Sequence, residues 1–115
     1  MNTKRALTEI FAVSNAVRYA AIYHDGKLVS RMRKGASHAS PAESDKYEEL
    51  VVNPALLTLV KQRGNIGCGG ARFLVVRYGN FYQLVIDLPT GHVSVCFELT
   101  ANPLEHADAI ARICA

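Results

Sequence analysis

Residues 81–99 read FYQLVIDLPTGHVSVCFEL, and this stretch decides the fold. Tyr82, Leu84, Ile86 and Leu88 alternate with Gln83, Val85 and Asp87. Beyond Pro89-Thr90-Gly91, Val93, Val95, Phe97 and Leu99 alternate with His92, Ser94, Cys96 and Glu98. Successive side chains on a strand point to opposite faces, so this period of two predicts two strands sharing one strongly apolar face and one less apolar face. The turn between them is too short for a parallel crossover, so they pair antiparallel. Immediately upstream, Ala71 to Tyr78 reaches Phe81 through Gly79-Asn80, a hairpin signal that adds a third strand to the meander.

The segment before the meander predicts a long helix. Ser40-Pro41-Ala42-Glu43 has the order of a capping serine, a first-turn proline and a glutamate that can reach back, and Arg63-Gly64-Asn65 ends the helix. Pro54 lies inside it; lacking an N–H and clashing with the carbonyl four residues earlier, it predicts a kink or break near Asn53. On a helical wheel Leu50, Val51, Val52, Ala55, Leu56, Leu57, Leu59 and Val60 leave no broad polar face. A helix that is apolar all round needs cover on more than one side, and in a small domain a second protein is the natural cover. The alternative is that Pro54 resets the wheel and each half buries a single face.

Further outward, Val17 to Tyr23 is a nearly continuous apolar run suited to a central strand, and Asp25-Gly26 supplies a tight turn into Lys27 to Arg33. Leu7, Ile10 and Phe11 give a short amphipathic helix from Thr3 to about Val13. Asn102-Pro103-Leu104-Glu105 opens a final helix carrying Leu104, Ala107, Ile110 and Ala111. The order is αββαβββα in one domain over residues 1–115. The fold class is α+β: a mainly antiparallel sheet with three helices on its faces.

With 115 residues, half of them hydrophobic and a fifth charged, the chain has ordinary globular composition. No apolar run approaches the roughly 18–20 residues that span a bilayer, and the first residues lack a secretory signal pattern. Cys68, Cys96 and Cys114 are odd in number and widely spaced, which fits reduced thiols and a cytoplasmic location. A net charge of +3 is too small to indicate nucleic acid as the partner.

The ordered set of elements resembles the roadblock family (dynein light chain type), a branch of the profilin-like folds. AVRYAAIYHDGKLV at residues 16–29 is similar to the family's opening hairpin, and FLVVRYGNFY at residues 73–82 resembles its second. The resemblance implies a five-stranded sheet of order 2-1-5-4-3, with the first strand beside the fifth. It also implies a homodimer built on the middle helix and the third strand, and a role as scaffold or regulator of small GTPases or motors. Pro54 departs from the family pattern. The expected dimer surface is Leu50, Val52, Leu56, Leu57, Leu59, Val60, Phe73 and Val75.

No catalytic, metal or cofactor constellation emerges. Arg63-Gly64-Asn65-Ile66-Gly67-Cys68-Gly69-Gly70 runs from helix to strand, the reverse of a phosphate loop, and reads as a connector. His24, His38, His92 and His106 have no metal-ligand spacing, and Glu43, Asp45, Glu48 and Glu49 suit the dipole of a helix start. Cys68 has no nearby base in sequence, while Cys96 and Cys114 read as packing residues. Lys27, Arg31 and Arg33, with Lys34 beyond, form a basic stripe that either meets a partner or protects a sheet edge. The expected function is a non-enzymatic homodimeric regulatory or scaffold module without cofactor or metal, binding a protein such as a small GTPase. The rival is a PAS-like sensor with a ligand pocket between sheet and middle helix, lined by residues such as Tyr19, Tyr47 and Tyr82.

Overall fold

The computed structural model describes residues 1–36 and 42–115. The Ser40-Pro41 cap and His38 lie outside the described residues. Helix α1 spans Thr3–Val13, and the Asn2 side chain caps it by accepting the Arg5 amide at 3.1 Å. Strands β1 (Val17–His24) and β2 (Lys27–Met32) follow, then α2 (Ala42–Tyr47), a π-helical turn (Glu48–Val52) and α3 (Asn53–Gly64). The meander is β3 (Phe73–Arg77), β4 (Tyr82–Leu88) and β5 (Gly91–Phe97). A 3-10 turn at Pro103–Glu105, capped by Asn102, leads into α4 (Ala107–Ile113).

The five strands form one sheet of order β2-β1-β5-β4-β3, and every pairing is antiparallel. The period-two pattern of the meander divides its faces as the sequence predicts. Leu84, Ile86, Val93, Val95 and Phe97 join Ala20 and Ile22 under α1 and α4, where Leu7, Ile10 and Ile110 complete the principal core. The opposite face carries Tyr19, Ala21, Gln83, His92, Ser94 and Cys96, and here the middle helix packs. Leu104, expected on the apolar stripe of the last helix, is instead exposed, because the 3-10 turn rotates Pro103 inward in its place.

The first hairpin closes at Asp25 (φ 51°) and Gly26 (φ 78°), the positive angles that a two-residue turn demands. The second differs: neither Gly79 nor Asn80 has positive φ, and the Tyr78 amide closes the turn on the Phe81 carbonyl at 2.9 Å. Between β1 and β5 the register slips between Val17 and Tyr19, a bulge that leaves Arg18 as the extra residue. The Arg18 guanidinium reaches the Glu98 carboxylate at 2.7 Å.

At Gly91 β5 lies close against the backbone of β1. A Cβ at this position would sit 1.7 Å from the Tyr23 carbonyl oxygen. Gly91→Ala should therefore cost more than about 3 kcal/mol or prevent folding. Gly26→Ala meets open space and should cost only the left-handed backbone term of about 1–2 kcal/mol. Urea unfolding of the two variants against the parent chain checks the contrast.

Candidate functional site: a polar cleft behind an apolar helix face

The middle helix does not break at Pro54. Asn53 keeps helical angles (φ −62°, ψ −45°), and its amide donates to the Glu48 carbonyl, a bond spanning five residues. The π-helical turn places Pro54 in the first turn of α3, the helical position that best tolerates a missing N–H. Of the kink or break expected near Asn53, the break is corrected: the irregularity is there, as a widened turn in a continuous helix.

This geometry sets which side faces the sheet. Glu49, Asn53 and Leu57, four residues apart, are the buried positions between residues 48 and 60, and Glu49 and Asn53 are both 0% exposed. They meet the less apolar face of the sheet. His92 Nε2 lies 2.8 Å from Glu49 Oε1, and Asn53 Nδ2 donates to the same oxygen at 2.9 Å. With the carboxylate ionised, Nε2 must carry the ring proton. Tyr23 stacks on the His92 ring at 5.8 Å and holds its orientation. Beside them Gln83 Nε2 donates to Ser94 Oγ at 2.8 Å.

The opposite side of the helix is apolar and uncovered. Leu50 and Val51 are each 50% exposed, Leu59 64% and Tyr47 62%, with Val60 and Ile66 also exposed. Around Glu49 and Asn53 the helix is thus inverted relative to an ordinary surface helix, with these polar side chains inside and Leu50 and Val51 outside. Where α3 meets the start of β3, Leu59, Val60, Ala71 and Phe73 line a shallow groove of about 420 Å³.

At the other end of the helix a cleft of about 340 Å³ opens between the sheet and the α2/π segment. Its walls are Arg18, Tyr19, Met32, Tyr78, Phe81 and Cys96, and Asp45, Glu48, Glu49 and Gln83 contribute its polar groups. Tyr78 donates its hydroxyl to Glu48 Oε1 at 2.9 Å. Burial holds the Glu48 carboxyl above its ordinary value, opposed by the Tyr78 hydrogen bond and reinforced by Glu49. Burial likewise raises Asp45, with Glu49 and Glu48 adding repulsion. Burial, Glu49 and Asp45 together push the Cys96 thiol well above its usual range, so it is a poor nucleophile at neutral pH.

The expected site residues are distributed unevenly. Leu50, Leu59 and Val60 face outward, and Val52 and Leu56 are half-buried. Leu57 points into the domain at 6% exposure, so its assignment to an outer surface is corrected. Phe73 and Val75 pair with Ile86 and Leu84, which puts them on the α1/α4 face, across the sheet from the middle helix. Phe73, on the edge strand, still reaches the groove shared with Leu59 and Val60. In the basic stripe, Arg31 donates to Thr8 Oγ1 at 3.2 Å and lies over the Phe11 ring, and Arg33 reaches the Ser14 carbonyl at 3.4 Å. These two contacts tie β2 to α1; Lys27, Arg31 and Lys34 are exposed and Arg33 is half-buried. Of the tyrosines assigned to a sensor pocket, Tyr19 lines the cleft, Tyr47 faces solvent and Tyr82 packs on the other face of the sheet.

Three residues escaped the sequence reading. Glu49 passed as a dipole residue, Asn53 as a kink point and His92 as a strand start. The signal was there: Glu49 and Asn53 are four apart in an otherwise aliphatic run, and His92 belongs to the less apolar set of β5. Among the described residues, no three His, Cys, Asp or Glu side chains converge as metal ligands. No helix of the described residues is long and apolar enough to cross a membrane.

No family profile matches the sequence, and no curated protein matches it by sequence. Solved structures do match in fold. One described as MglB with tetrameric arrangement superposes with a TM-score of 0.68 at 16% identity, covering 96% of this chain and 86% of that one. Another, the gliding protein MglB from Thermus thermophilus, gives 0.62 at 20% identity, covering 96% and 87%. Likeness at these identities establishes the fold, and it is the roadblock/profilin-like arrangement that the element order predicts.

Two outcomes follow from the buried polar cluster and the cleft. His92→Leu leaves a buried carboxylate without one of its two donors and should cost about 3–5 kcal/mol. Glu49→Leu should cost less, since it leaves an unpaired ring N–H rather than an unpaired carboxylate, and the double variant should lose far less than the sum of the two. Urea denaturation of all three closes this cycle. Because Asp45 and Glu48 bind protons more tightly folded than unfolded, their contribution to stability falls as pH rises from the ordinary carboxylate range through their raised folded values. Glu48→Gln should flatten that decline, as read from thermal melts across pH 4 to about 7.

Proposed function

We propose that this chain is a non-enzymatic, homodimeric protein-binding module that acts as a regulator or scaffold in the cytoplasm. The observation that carries the reading is the inverted middle helix: polar Glu49 and Asn53 inside, Leu50, Val51 and Leu59 outside. Such a surface gains by being covered, at roughly 25 cal/mol for each Å² of apolar area removed from water. The groove of Leu59, Val60 and Phe73 extends it towards β3, an edge strand that pairs on one side with β4. Arg72 and Arg77 stand at the ends of that edge, so its centre can pair with its own copy, a contact that closes after two subunits. A stable two-fold interface would bury on the order of 1,200–2,000 Å².

A small GTPase is the partner class supported by the roadblock-like element order and by the fold shared with MglB. Lys27 and Lys34, exposed at the opposite edge, supply positive charge for an acidic partner surface.

Light scattering across a dilution series tests the dimer. The parent chain should have the mass of two copies, and Leu59→Asp should give a folded monomer by circular dichroism. An unpaired charge in an interface costs several kcal/mol, whereas Leu59 in the monomer is mostly in water. Leu57→Asp should instead unfold the domain. A parent chain that is monomeric at high micromolar concentration would refute the dimer.

A further inference from the structure

The cleft beside α2 has a chemistry that neither the dimer nor the fold requires. At its floor Glu49 Oε2 and Gln83 Oε1 are buried with no hydrogen-bond partner among the described residues. Glu49 is 0% and Gln83 1% exposed, so bulk water does not satisfy them. These two are acceptors; the Tyr19 hydroxyl on the cleft wall, likewise buried with no hydrogen-bond partner among the described residues, can donate or accept. The amide nitrogen of Gln83 donates to Ser94 Oγ at 2.8 Å, and its oxygen is the group left over. An orphaned buried acceptor costs about 1–3 kcal/mol, so whatever completes this cleft must bring donors.

The charge balance points the same way. Asp45, Glu48 and Glu49 line the cleft and repel one another. The cation on its wall, Arg18, is engaged by Glu98 at 2.7 Å. The Arg18 guanidinium also lies 5.3 Å from the centre of the Phe81 ring. Tyr19, Tyr78 and Phe81 present further aromatic surface, and Met32 and Cys96 add apolar wall. Aromatic faces beside carboxylates suit an organic cation, which gains from both. A metal ion fits poorly, because the carboxylates do not converge as a ligand set. The volume of about 340 Å³ sits at the small end of ligand pockets.

We propose that this cleft binds a small organic cation, a primary amine or guanidine on a short apolar body. Its charge faces Glu48 and Asp45, its body lies against Tyr78 and Phe81, and its nitrogen bonds Glu49 Oε2 and Gln83 Oε1 as those side chains turn towards the cleft. The site is independent of the dimer reading and is present in one copy of the chain.

The test is titration of the full chain, followed by amide chemical shifts and calorimetry, with phenethylamine and agmatine as cations. Phenethyl alcohol and phenylacetate serve as the neutral and anionic counterparts. Saturable binding of a cation, with shifts at Tyr19, Gln83 and Cys96 and without binding of the counterparts, supports the proposal. Glu48→Gln and Asp45→Asn, both at the part-exposed mouth, should each weaken the cation about tenfold, the worth of one charge-assisted contact. The proposal is overturned by any of three results: no saturable binding at about 10 mM, a ceiling far weaker than ordinary ligand affinities; equal binding of the neutral or anionic counterpart; or unchanged affinity in both variants. N-acetyl-argininamide binding more tightly than agmatine would also overturn it, assigning the cleft to an arginine of a partner protein.

Discussion

The hydrogen bonds from His92 and Asn53 to one oxygen of Glu49 constrain the rest of this structure. A carboxylate at zero exposure is tolerated only if its charge is answered by donors, and here one comes from the sheet and one from its own helix. That requirement fixes the helix in rotation as well as position. Glu49 must look down on β5, so Asn53 and Leu57 follow it inward, and Leu50, Val51 and Leu59 are left outside. The uncovered apolar face is the consequence of a polar anchor rather than of a poor core.

The π-helical turn belongs to the same constraint. An α-helical path through residues 48–54 would ask Pro54 for a donor it lacks and press its ring on the carbonyl of Leu50. With one turn widened the helix continues through Pro54, the Asn53 amide closing on Glu48. Glu48 and Glu49 therefore sit on adjacent positions of the widened turn, one facing the cleft mouth and the Tyr78 hydroxyl, the other the floor. Lys61 adds a later tie to the sheet through Asp87 at 3.0 Å. The two faces of the sheet consequently do different work: the α1/α4 side is a dry aliphatic core, and the middle-helix side is a hydrogen-bonded layer with a cleft at one end.

The architecture was legible because its signals are local. The alternation in residues 81–99, the Asp25-Gly26 turn, and the cap at Asn102 each depend on neighbours in sequence and on backbone geometry. The expected strand order also appears, and it came from the family resemblance rather than from those signals. The candidate site was legible only in part. Wheel reasoning found the surplus of apolar circumference on the middle helix, yet it assigned Leu57 outward. Sequence patterns treat polar residues as surface by default, and here the buried stripe is the polar one.

The sequence by itself determined the strands, the helices and the existence of a helix with more apolar surface than one sheet can cover, because periodicity and turn chemistry act over a few residues. Only the tertiary structure decided which side of that helix is outside. That choice rests on residues 43 positions apart, Glu49 and His92, meeting across the sheet at 2.8 Å. It also decided that Asp45, Glu48, Tyr78, Phe81 and Gln83 share one cleft, since they are brought together by the crossing of the middle helix over the β3–β4 hairpin. A buried charge is matched by whatever the fold places opposite it, and nothing in the local sequence around either partner names the other.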